Sequence, residues 1–422
     1  MQLQNIGKLL ELQGVKITEI TNEPEKEGIT AIVHVKPIID SPKCPLCKGT
    51  NVIRYGVDGV RRIRHLNIGV AKCIIEADRQ RLKCKTCDTT YTHEYEFVNG
   101  KERYTAGFKA QAYQISVGAT VRHGAECNET PYSTIERFFK EVAMKIAPLV
   151  LSAAQTMAEE STKLILGIDD FAIRKGHNYN TGIHDLRGEN LIGIAKGRKL
   201  EDLRQYMEDN PQLAGLNPYA VVMDLARGYH SFAAEFYPKA IRVADRFHVN
   251  RYILDALDEV RRRVGKQLSH ADRTELNRSK HLLRKRNDSL DEKQFAKFER
   301  ILGFSADLRA VYELKEQLID WYDLSINHDT ALTGYQKWLR FGYSLCIPEV
   351  TTTLKTFENW QDEIVNYHKC RFTNGIVEGR NAKIKALQRR HFFLHNRTFY
   401  EALIVIECNA ELSKQHFEQL FA

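Results

Sequence analysis

Between Leu164 and Asp245 short apolar runs alternate with helical periodicity, and three of the runs stop at aspartate. "LILGIDD" closes on Asp169 and Asp170, "YAVVMD" on Asp224 and "AIRVAD" on Asp245. "YNTGIHDL" and "NLIGIAKG" follow the first run as further strands, while "LEDLRQYMED" and "SFAAEFY" read as helices. A βββαβαβ order of short apolar runs and helices predicts an α/β domain around a central sheet. Strand ends deliver side chains to one edge of such a sheet. Asp169 and Asp224, on strands that can lie side by side, would bring two carboxylates together. Such a pair repels unless one is protonated or a cation sits between them. A hard divalent ion, Mg2+ or Mn2+, suits these oxygens and leaves room for substrate phosphate.

The chain has 422 residues, too many for one ordinary core, so two or three domains are expected. Residues 1–97 are rich in β-branched alternation, as in "GITAIVHVKPI" and "VAKCIIEADRQRLK", and predict strands. "CPLC" and "CKTC" fall here, so Cys44, Cys47, Cys84 and Cys87 can give four thiolates to one structural Zn2+. All four positions would then be filled, with none open for a water. The scattered Cys73, Cys127, Cys346, Cys370 and Cys408 read as small buried residues of a reducing compartment. The first residues lack the pattern of a secretory signal and no long apolar run occurs. A cytoplasmic protein without a membrane span is therefore expected.

Residues 98–150 change to helical periodicity. "TAGFKAQAYQISV" predicts one helix, "TVRHGAECNE" a shorter one, and "TPYSTIERFFKEVAMKI" a third, capped by Thr130 with Pro131 in its first turn. Its apolar stripe is Ile135, Phe138, Phe139 and Val142, which leaves Arg137 and Lys140 facing outward. Three short helices ending in a basic one suit a helix-turn-helix, with Arg137 and Lys140 as DNA contacts. Residues 251–366 are long, charged and helical, with Trp321, Trp338 and Trp360 as core anchors.

The net charge is +8, and its distribution is uneven. Nine Lys/Arg face three Asp/Glu from Arg54 to Lys85, and seven face one from Arg371 to Arg397, a footprint of phosphate binding. In "NGIVEGRNAKIKALQRR" the one acid, Glu378, stands among five bases. Helical geometry puts Glu378, Asn381, Ala382, Lys385 and Arg389 on one face, opposite Ile376, Val377, Ile384 and Leu387. Glu378 is thus the candidate third carboxylate of a metal site, and Lys383, Lys385, Arg389 and Arg390 are candidate DNA contacts.

The strings "GIDDFAIRKGHNYNTGIHDL", "FYPKAIRVADRFHV" and "NGIVEGRNAKIKALQRR", after a Cys-x-x-Cys region, resemble the DDE transposases of the bacterial ISL-three insertion sequences. That resemblance implies a ribonuclease-H-like α/β catalytic domain (160–250 and 367–422) interrupted by the helical insertion 251–366. It implies Asp169, Asp224 and Glu378 as catalytic ligands of two magnesium ions, and it selects Asp169 over its neighbour Asp170. It further implies binding of terminal inverted repeats and target DNA, cleavage and strand transfer without a covalent protein–DNA intermediate, and a homodimer or higher multimer on DNA. "DRFH", Asp245 to His248, resembles the Asp-x-x-His signature of many such enzymes. Equally, Asp245 reads as a helix cap with His248 packed nearby, or as the alternative second metal ligand. Arg174 and Lys175 are further candidates for phosphate. Two other readings are a zinc-containing DNA-binding regulator and a nuclease of the same fold that cuts without joining.

Overall fold

In the computed structural model, residues 7, 9–24, 29–69, 71–174, 178–391 and 396–421 are described. Lys175 lies outside them, and the Arg174 side chain is likewise not described. The chain divides into two compact units: residues 1–146 with 414–422, and residues 147–413. The tail Lys414–Ala422 therefore groups with the amino-terminal half, whereas the sequence grouped it with the acids of 367–422.

The first unit opens with a sheet in the order β1-β2-β4-β3. Its strands are β1 (Val15–Pro24), β2 (Ile29–Pro37), β3 (Val52–Ile68) and β4 (Ala71–Cys84), and the short β5 (Thr90–Thr92) pairs with β4. Alternation in β4 buries Cys73, Ile75 and Ala77 against Val33, Val35, Ile63, Tyr95 and Phe97. Three helices follow, Ala106–Gly118, Val121–Cys127 and Tyr132–Glu159. Thr105 and Thr120 cap the first two through their side-chain oxygens. The third helix starts at Tyr132, and the Thr130 hydroxyl donates to the Asn128 carbonyl instead of capping it. Ile135, Phe138, Phe139 and Val142 are buried as the periodicity required. The helix is longer than the sequence suggested, continuing through Pro148 into the second unit.

The second unit is built on a sheet ordered β10-β9-β6-β7-β8. These strands are β6 (Ile165–Arg174), β7 (Asn178–Asp185), β8 (Asn190–Lys196), β9 (Ala220–Met223) and β10 (Ile241–Ala244). The first three form an antiparallel meander, and β9 and β10 add in parallel beside β6. Leu166, Ile168, Val221 and Met223 enter one core with the helices Leu200–Asp209 and Arg227–Phe236. Ile165, Ala220, Val222 and Val243 enter another, shared with Val377 and with the helices from Arg246 to Val365. Trp321 and Trp338 are buried in that second core, and Trp360 packs on it partly exposed. Gly167 needs its missing side chain, because a Cβ there would come within 2.6 Å of Leu186 and 2.7 Å of the Asn374 side chain.

Candidate functional site: an acid cluster and a four-cysteine site

Strand register brings the acids together. Ile168 pairs with Met223, and Met223 with Ala244, so the next residues, Asp169, Asp224 and Asp245, fall in one row across three adjacent strands. β6 continues to Arg174, so Asp169 lies inside its strand and only β9 and β10 stop at the row, where the sequence had all three runs ending. Parity decides between the neighbouring aspartates. Ile165 and Asp169 share the face that packs toward Val377, while Asp170 has the opposite parity and pairs with Arg198 at 3.0 Å.

The helix Gly375–Arg390 supplies the other acid. Asn374 precedes it and is 1% exposed. The Asn374 backbone N–H donates to Asp245 Oδ1 at 2.9 Å, and its Nδ2 donates to the Ile168 carbonyl at 3.1 Å. One asparagine thus ties the Glu378 helix to the strand of Asp169 and to Asp245. Asn381 adds a second tie, from Nδ2 to Asp169 Oδ2 at 2.7 Å. Asn381 is buried, although helical geometry grouped it with Glu378, Lys385 and Arg389 on the face opposite the apolar residues. It lies four residues after Val377 and three before Ile384, on the stripe that packs inward. Both asparagines were visible in "NGIVEGRNAK", but nothing in the spacing showed which strand atoms they would meet.

Two overlapping groups result. Asp169, Asp224 and His248 present ligand atoms within 4.8 Å of one another, and so do Asp245, His248 and Glu378. His248 Nε2 is 2.9 Å from Asp224 Oδ1. Asp245 occupies the cap position of the helix Arg246–Gly265, yet its side chain makes no capping bond. Asp245 thus takes the expected cap position through its backbone, while its carboxylate faces Asn374 and the acid cluster.

The electrostatics follow from this crowding. Burial, then the charge of Asp224, pushes Asp169 up to about 7, and burial, then Asp245, raises Glu378. Asp245 is raised by burial as well. Burial works against the charged form of His248, but Asp224, Asp245 and Asp169 outweigh it and raise the ring's pKa. The donor set is hard oxygen plus one imidazole. Asp245 Oδ2 and Glu378 Oε1 are buried without a hydrogen-bond partner. Carboxylates that repel and lack donors fit a divalent cation.

A pH dependence follows. In the absence of divalent ions folded Asp169 holds its proton up to about pH 7, whereas an unfolded aspartate releases it near 3.8. The folded state binds more protons between these values, so stability falls as pH rises through them. Asp169→Asn removes that loss. The variant's amide can still accept from the Asp170 N–H and donate to the Asn381 Oδ1, which lacks a partner, once the Asn381 amide flips. Ion-free thermal melts should show the variant close to wild type near pH 4 and more stable above pH 7 by roughly 2–4 kcal/mol. A constant difference across that range would contradict the burial argument.

The basic residues separate into two sets. Lys383, Lys385 and Arg389 are exposed, as are Arg137 and Lys140. Arg390 is half-buried and pairs with Glu407 on the following helix. Arg380 is buried against His184 Nδ1 at 3.2 Å and the Glu189 carbonyl. Two of the five bases near Glu378 therefore anchor its helix, which explains part of the charge imbalance without DNA.

The four cysteines meet in the first unit. Cys44 and Cys87 sulfurs are 3.5 Å apart, Cys47 and Cys84 sulfurs 3.6 Å, and all four lie within 4.8 Å. A tetrahedron with Zn–S bonds of about 2.3 Å has edges close to these spacings. The two turns match: Lys48 and Asp88, each just after the second cysteine of its pair, have φ of 61° and 58°. The Thr89 hydroxyl and N–H favour the Cys87 thiolate and pull its pKa down to about 6. Such a charge suits a metal ligand. Among the remaining cysteines Cys73 and Cys408 are buried as expected, Cys370 is half-buried, and Cys127 and Cys346 are exposed, which corrects their reading as core.

No helix among the described residues is long and apolar enough to cross a membrane. Residues 166–404 match the family model of the ISL3 transposases, described as "Transposase". Residues 40–87 match the zinc finger of the transposases of IS204, IS1001, IS1096 and IS1165. The transposase for insertion sequence element IS1001 of Bordetella parapertussis is 25% identical over 382 residues, 89% of this chain and 91% of the relative. The transposase for insertion sequence element IS1557 of Mycobacterium tuberculosis is 23% identical over 361 residues, 79% of this chain and 78% of the relative. The matched region spans the acid row, the intervening helices and the Glu378 helix, and the four thiols close the zinc-finger match: the chain belongs to the ISL3 (ISL-three) family of insertion-sequence transposases and carries that family's zinc ribbon.

Proposed function

We propose that this transposase binds the terminal inverted repeats of its element and performs metal-dependent cleavage and strand transfer, with Asp169, Asp224 and Glu378 as its catalytic acids. The observation that carries this reading is the acid row at the ends of β9 and β10, with Glu378 reaching the same edge from the helix Gly375–Arg390. An antiparallel meander extended by two parallel strands supports a ribonuclease-H-like domain, into which the helices of 251–366 are inserted. The carboxylates would hold Mg2+ or Mn2+. When bound, two such ions activate a water or a DNA 3′-hydroxyl and stabilise the leaving oxygen in an in-line displacement. The protein's own part is positional. Asn374 and Asn381 fix the acids, and His248 sets a positive or hydrogen-bonding group between them.

Recognition is assigned to the first unit. The helices Ala106–Gly118, Val121–Cys127 and Tyr132–Glu159 support a helix-turn-helix with Arg137 and Lys140 outward, and the zinc ribbon is its β-rich companion. Lys383, Lys385 and Arg389, exposed on the Glu378 helix, are assigned to the phosphate backbone. A pair of ends requires at least two copies, so assembly on DNA is part of the proposal. The direct test is purified protein with a labelled end taken from the flanks of its own gene, with and without Mg2+. Mg2+-dependent nicks and joined products are expected. Nicks without joining would favour the nuclease, and binding without nicks the regulator.

A further inference from the structure

Three carboxylate oxygens in the acid cluster are buried without a hydrogen-bond partner, Asp224 Oδ1, Asp245 Oδ2 and Glu378 Oε1, and none belongs to Asp169. Asp224 Oδ1 does face His248 Nε2 at 2.9 Å. Asp169 Oδ1 accepts from the Asp170 N–H at 2.7 Å and Oδ2 from Asn381, so its hydrogen-bonding needs are met within the fold. Asp245 is different. It is fully buried, its Oδ1 accepts from Asn374, and its Oδ2 has no hydrogen-bond partner. Glu378 Oε1 is in the same condition. Among the described residues no Lys or Arg forms an ion pair with either acid, and the cation nearest in sequence to Asp245, Arg246, is engaged by Asp323 at 2.8 Å. A buried carboxylate left without donors is expensive unless a charge compensates it.

From this we infer that Asp245 is a fourth metal-binding carboxylate, forming with Glu378 a second cation site beside that of Asp169 and Asp224, with His248 shared between the two groups. The inference rests on the reading of the cluster as a metal centre and adds to it a residue outside the three catalytic acids. The ligand class is a hard divalent ion that accepts oxygen and one imidazole, Mn2+ or Mg2+. Asn374 is the positioning residue of this site. By taking Oδ1 of Asp245 it leaves Oδ2 for the ion, and it sits at the start of the helix that carries Glu378. The same contact makes the second site depend on the docking of that helix. Asp169 and Asp224 need only strand register to meet, whereas Asp245 and Glu378 meet through the helix.

Mn2+ binding to the full-length chain, followed by the electron paramagnetic resonance of free Mn2+, tests this without any activity readout. Wild type should bind two ions, one at Asp169 and Asp224 and one at Asp245 and Glu378. Asp245→Asn keeps the side chain's shape and the acceptor for Asn374, so it should fold, retain zinc and bind one Mn2+. Glu378→Gln should lose the same ion, and the half-exposed Glu378 keeps the test open should Asp245→Asn fail to fold. Asp224→Asn should lose the other ion. Two ions bound by both Asp245→Asn and Glu378→Gln with unchanged affinity would overturn the second site alone. A wild-type chain that binds no Mn2+ would overturn the metal centre and this inference together.

Discussion

Asp169→Asn, Asp224→Asn or Glu378→Gln should each lower Mg2+-dependent cleavage of end DNA by about a thousandfold or more, while end binding stays intact. The expectation comes from where the acids sit. Each substitution is isosteric, and all three carboxylates lie in the second unit, whereas DNA recognition is assigned to the first. Neutralising a carboxylate also removes charge that repels the phosphate backbone, so binding should hold or tighten. Asp169→Asn carries an extra signature, since the same change stabilises the ion-free protein above pH 7. Loss of activity with a gain in stability distinguishes a destroyed site from a damaged fold. Cleavage at normal rate by any one variant would remove that acid from the catalytic set.

The zinc ribbon should show the other large effect. Cys44→Ser or Cys84→Ser should reduce bound zinc from about one per chain to a small fraction, because the harder hydroxyl is a poor replacement for a thiolate. Cys84 closes β4 opposite Val52 and takes the Thr89 carbonyl through its N–H, while the Cys44 N–H reaches the Gly49 carbonyl. Without the ion both turns lose the tether that relates them. Affinity for end DNA should then drop about tenfold or more, with binding to unrelated DNA much less affected. Zinc analysis beside competition binding reads both quantities. Intact protein that holds no zinc would refute the structural role of the site.

How far the fold was legible varied with the range of the interactions. The βββαβαβ order was readable because each strand is a short apolar run, and the whole set from Ile165 to Ala244 appears in the structure. The stripe of Ile135, Phe138, Phe139 and Val142 was readable for the same reason. The Cys-x-x-Cys pairs carried their own geometry, since a thiol pair on a tight turn has few alternatives. Misreadings fell where a side chain had to choose a distant partner. Nothing near Arg390 in the sequence showed that Glu407, on the following helix, would pair with it. Asn381 was grouped with Lys385 and Arg389 opposite the apolar residues, and nothing local showed that the Asp169 carboxylate would draw it inward. Thr130 was a plausible cap whose hydroxyl found a closer acceptor in Asn128.

Residue order alone settled which chemistry was on offer: aspartates after apolar runs, a lone glutamate among bases, two thiol pairs. Local periodicity encodes these directly. The alignment of Asp169, Asp224 and Asp245 in a single row, and the assignment of Asn374 to both Asp245 and Ile168, arose only on folding. Strand register and helix docking are set by packing summed over many distant residues, and one position of slip would have sent Asp169 to the other face of its sheet.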